Sequence, residues 1–82
     1  MSVHLKSPGV IELSGRCGVD DAEVLQQRLS ATPGATVEWS DCEHLHSAVV
    51  QVLLVGAPLM RGAPKNEFLT THIAPILGGS NR

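Results

Sequence analysis

The amino-acid sequence predicts an α/β domain, a small mixed sheet of three to four strands with two to three helices packed on it. Two short runs near the start alternate apolar and polar residues, a helix-start signal follows, and another alternating run comes after that helix. A strand, helix, strand order implies a parallel strand pair joined by a right-handed crossover.

The elements follow in chain order. Ser2 to Lys6 and Val10 to Ser14 carry Val3, Leu5, Ile11 and Leu13 in alternation, and Ser7-Pro8-Gly9 between them supplies the torsions of a hairpin turn. Asp20 is placed to cap a helix, with Glu23 three residues on and Val19 available to staple onto Val24. Ala22, Leu25 and Leu29 recur on one face of that helix until Thr32-Pro33-Gly34 ends it, so its narrow apolar stripe should lie on a sheet. Ala35 to Ser40 reads as a third strand, with Val37 and Trp39 on one face and Thr36, Glu38 and Ser40 on the other.

Ser47 to Ala57 is the most apolar stretch, and periodicity alone leaves it open between buried strand and buried helix. As a helix it would be apolar around most of its circumference, more than one small sheet can cover, so part of it should seek a second surface. Beyond the loop signal Gly62-Ala63-Pro64, the spacing of Phe68, Leu69 and Ile73 predicts a short helix from about Lys65 to about Thr71, with Pro75 disfavouring helix at Ala74; Gly78 to Arg82 reads as a tail.

Composition narrows the function. The 82 residues suffice for one domain with one modest core, 43% are apolar, and Trp39 and Phe68 are the only aromatic residues. A net charge of −2 with scattered Lys and Arg gives no stripe to neutralise phosphates, and the missing aromatics remove stacking platforms for bases, so nucleic acid is a poor partner. No apolar run reaches the roughly 18 residues of a spanning helix. The reading is a cytoplasmic chain without membrane insertion, in which Cys17 and Cys42 are free buried thiols.

Two stretches resemble the STAS family, the domain shared by sulfate transporters and anti-sigma-factor antagonists. Val10-Ile11-Glu12-Leu13-Ser14-Gly15 running into Asp20-Asp21-Ala22 looks like that family's second strand, glycine turn and first-helix start. Glu38-Trp39-Ser40, Leu45-His46-Ser47-Ala48 and Val52-Leu53-Leu54 look like its third strand, acidic-x-Ser loop, Asp-Ser/Thr turn and apolar helix. The resemblance covers roughly residues 2 to 57 and implies that the ambiguous stretch is the second helix, whose N-terminus forms the partner-facing surface. His46 replaces the family's Asp, and Ala48 stands where the antagonists carry the phosphorylated serine, which puts the familiar phosphoswitch in doubt. Family members usually carry a further strand after this helix, and the C-terminal part here is short, so an uncovered edge could pair in a homodimer.

The expected function is therefore a small regulatory or adaptor protein that binds a partner through Glu38, Ser40, His46 and Ser47 at the mouth of the second helix, with Gln51 one turn on. Within the family such a partner is an anti-sigma-like kinase, a transporter ATPase or another signalling protein; an alternative reading makes the chain itself the soluble accessory subunit of a membrane lipid transporter. Ser47 can act as a plain N-cap or accept a phosphate, which would add about −1.5 to −2 charges at a helix start. The rival constellation is a metal site, since Cys42, His44 and His46 would project to one side of an extended strand and suit Zn²⁺, with a fourth ligand unassigned. Pairing Ser47 or Cys42 with His44 or His46 for catalysis lacks a third orienting group and an oxyanion site, and no glycine motif cradles a nucleotide, so neither enzyme activity nor a cofactor is expected.

Overall fold

The computed structural model describes residues 2–77, and the expected tail from Gly78 lies outside them. A hairpin of β1 (Val3–Ser7) and β2 (Val10–Cys17) leads into α1 (Val19–Ala31), β3 (Thr36–Leu45), α2 (Ser47–Gly56) and β4 (Leu59–Arg61). The sheet order is β1-β2-β3-β4, with β1 antiparallel to β2 and both β2–β3 and β3–β4 parallel. The mixed α/β sheet expected from the sequence is thus present, and the region after α2, where no convincing strand was legible in the sequence, supplies a three-residue fourth strand that covers part of the β3 edge.

Two consecutive parallel crossovers of the same hand put α1 and α2 side by side on one face of the sheet. Val3, Ile11, Leu13, Val37, Trp39 and Met60 are buried toward these helices and meet Leu25 of α1 and Val49 and Leu53 of α2 in one core. Trp39 is fully buried yet satisfied, because its indole Nε1 donates to the Gly62 carbonyl at 2.9 Å.

Several boundaries differ from the sequence expectation. The first helix is capped by Gly18, whose N–H donates to the Asp21 carboxylate at 2.8 Å, so the capping role falls to Asp21 in place of the Asp20 and Glu23 pair. β2 runs on to Cys17, which carries the helix start two residues upstream, and Val19 stays 58% exposed, so it staples nothing. β3 continues five residues past Ser40 because it absorbs two bulges against β2, between Glu12 and Ser14 and again between Gly15 and Arg16, that break simple alternation.

Past β4, the Asn66 side chain accepts N–H bonds from Phe68 and Leu69 and starts a short helical segment whose Leu69–Ile73 portion is a π-helix, closed by Ala74 N–H donating to Leu69 O at 2.8 Å. The helix forms two residues later than expected, and Ala74 is helical despite Pro75. Leu69 anchors the segment in the core.

Candidate partner-docking surface

The α2 stretch is a helix, and its two sides differ sharply. Val49 and Leu53 are sealed in the core, Ala48, Val50 and Val52 are half-buried, while Leu54 is 41% and Val55 84% exposed. The helix ends at Ala57, which adopts a left-handed conformation (φ 48°, ψ 49°) and donates its N–H to Leu53 O at 2.9 Å.

At the opposite end, His46 is the N-cap. Its backbone is extended, its N–H donates to Cys17 O at 2.8 Å, and its Nδ1 accepts the Ala48 N–H at 3.0 Å. The imidazole is therefore used as the capping group that Ser47 was expected to supply, and Ser47 is the exposed first residue of the helix.

Glu38 and Ser40 do not join them. Because β3 stays extended to Leu45, Glu38 lies roughly 20–25 Å upstream of His46 at about 3.3 Å per residue. Glu38 sits on the helix-free face of the sheet, where its Oε1 accepts from Lys6 Nζ at 2.6 Å and Arg61 Nη2 at 3.2 Å, tying β1, β3 and β4 together. These two cations hold the Glu38 carboxyl below the usual carboxylate range, and Glu38 raises the pKa of Lys6 in return. Ser40 packs against Gly62. The expected four-residue mouth thus reduces to His46 and Ser47, with Glu38 and Ser40 supporting the sheet.

The metal constellation is likewise dispersed. Cys42 is fully buried, its thiol donating to the His44 carbonyl at 3.6 Å, whereas His46 is exposed at the helix cap. The bulge at Glu43 shifts the strand, so Cys42 and Leu45 face the core and the supposed alternation from Cys42 through His44 to His46 fails. Among the described residues no three His, Cys, Asp or Glu side chains come together as a metal site. The Cys17 thiol is pushed up in pKa by the neighbouring Cys42 thiol and by burial.

What the structure does assemble is a groove of about 510 Å³ beside the exposed flank of α2. Gln26, Leu29 and Ser30 of α1 form one wall, Gln51, Val52 and Val55 of α2 the other, and the 32–35 and 56–59 segments close the end. None of its lining residues is ionisable. Gly56 leaves room for the tip of Leu29, since a Cβ there would lie 2.9 Å from Leu29 Cδ1. Leu59, 70% exposed on the sheet's edge strand, extends the apolar surface. Of the residues singled out from sequence, Gln51 belongs to this groove; the contribution of α1 and of Leu59 was not foreseen, and the signal available for it was the pair of helix-ending runs Thr32-Pro33-Gly34 and Gly56-Ala57-Pro58.

No known family, curated protein or solved structure matches the chain. No helix among the described residues is long and apolar enough to cross a membrane.

Proposed function

We propose that this chain is a small STAS-like regulatory or adaptor module that binds a partner protein through the exposed flank of α2, with the seat at the C-terminal half of that helix and the adjoining α1 wall. The observation that carries the reading is that Val55 and Leu59, the two most exposed large apolar side chains among the described residues, both line one apolar groove. Contiguous apolar surface of this kind marks interaction sites on small domains. The order of strands and helices, and the helical form of residues 47–56, support the resemblance to the anti-sigma-factor antagonists.

Affinity capture with the whole chain tests it. Wild type retains a partner, Val55→Arg loses it with an unchanged circular dichroism spectrum, and Ser47→Arg, at the far end of α2, weakens capture less. Full retention by Val55→Arg would refute this seat, and loss confined to Ser47→Arg would return it to the helix mouth.

A further inference from the structure

The groove has a polarity as well as an apolar floor. Both helices end in it, α1 at Thr32 and α2 at Ala57, and each is followed at once by a proline. Pro58 has no N–H to offer the Leu54 carbonyl, and the Leu59 N–H, the next available, goes to Ala35 O at 3.3 Å. The negative ends of two parallel helix dipoles therefore converge on one rim. No basic side chain stands in the last turn of α2, and Arg28, the basic residue in the last turn of α1, is not among the groove's lining residues. The lining offers no cation of its own, and the chain as a whole carries net charge −2.

Resting on the docking reading above, we infer that the occupant is an amphipathic helix of a partner protein whose apolar stripe is flanked by Lys or Arg. The apolar side chains seat between Leu29, Val52 and Val55, and a basic side chain at the rim donates to the Leu54 carbonyl at the end of α2, beside the negative end of α1. A helix suits the seat because each wall is one face of a helix, Gln26, Leu29 and Ser30 at i, i+3 and i+4 on one side and Gln51, Val52 and Val55 at i, i+1 and i+4 on the other, which leave a groove for a third helix to ridge into. An anionic occupant, such as a fatty-acid carboxylate or an acidic peptide, would meet the same dipole ends with the wrong sign and no countercharge.

The test is an NMR titration of the isotope-labelled full chain with three helical peptides. They share one Leu stripe and differ only in flanking Lys, Gln or Glu, and a fourth peptide has the Lys residues but Ser in place of Leu. The Lys–Leu peptide should shift amides of residues 29–35 and 54–59 and bind about tenfold more tightly than the Gln peptide, given the size of two helix-end interactions. The Glu peptide should bind more weakly still, the Lys–Ser peptide should leave the groove unmoved, and Val55→Arg should abolish the Lys–Leu response. Equal binding of all three Leu peptides in the groove would overturn the charge preference and leave the docking reading intact. Failure of every peptide to move the groove, or groove resonances that shift with protein concentration alone because a second copy fills it, would overturn the inferred occupant.

Discussion

Truncating Leu53 and Val55 to alanine, one at a time, should give opposite results although the two residues stand two apart on one helix. Leu53 is 1% exposed among core side chains, and a leucine truncated in such a site costs about 2–5 kcal/mol through lost burial and a cavity. For a domain of this size each kcal/mol lowers Tm by about 4–8 °C, so Leu53→Ala should melt roughly 10–30 °C below wild type. Val55 is 84% exposed, so its truncation removes little buried area, while alanine favours the helix by a few tenths of a kcal/mol. Val55→Ala should then stay within about 0.5 kcal/mol of wild type. Thermal melts followed by circular dichroism, repeated across a range of protein concentrations, measure both. A Val55→Ala loss as large as that of Leu53→Ala would mean that the outer flank is sealed in solution and would refute the division of α2 into a core face and a free face.

Three further outcomes follow from the surrounding contacts. Gly62 has φ 86° and a Cβ there would collide with the Ser40 hydroxyl and lie 3.3 Å from Ser40 Cβ, so Gly62→Ala should cost about 1–2 kcal/mol for the backbone alone, a Tm drop of roughly 5–15 °C, and adding Ser40→Ala should recover only the crowding component. Because the Glu38 pKa is lowered and that of Lys6 raised when folded, the Tm gap between wild type and Glu38→Gln should be full between about pH 4.3 and 10.4. It should close as pH falls through the lowered Glu38 pKa and narrow, with the Arg61 pair remaining, as pH rises through the raised Lys6 pKa, and a gap that widened in acid would contradict the bridge. Cys17 and Cys42, both fully buried, should resist a thiol reagent at pH 8 until denaturant is added; rapid labelling of the folded chain would place either thiol outside the core.

The elements most legible in the sequence were those whose pattern is local. Alternation at Val3 and Leu5 and at Ile11 and Leu13 marked the hairpin, and the Thr32-Pro33-Gly34 run marked the end of α1. The second half of β3 escaped because its two bulges interrupt the period on which strand recognition depends, which also made Cys42, His44 and His46 look collinear. The start of α1 was displaced because Gly18, with no side chain, leaves capping to Asp21 and hides the usual Ser/Thr/Asp signal at the cap itself. Glu38 carries an acidic residue's ordinary signature, and nothing local reveals that Lys6 and Arg61 arrive beside it from two other strands. The excess apolar surface of α2 was readable from composition, but where it opens depends on how Leu29 of α1 packs beside Gly56, a property of the packed pair.

Val55→Cys is the most direct probe of the docking surface, since both native thiols are buried and stay silent. In the free chain, maleimide should label Cys at position 55 nearly as fast as a short unfolded peptide, at a rate independent of protein concentration, and saturation with the captured partner should suppress that labelling. Protection already present in the free chain, or a rate that saturating partner leaves unchanged, would contradict a docking surface on this flank of α2.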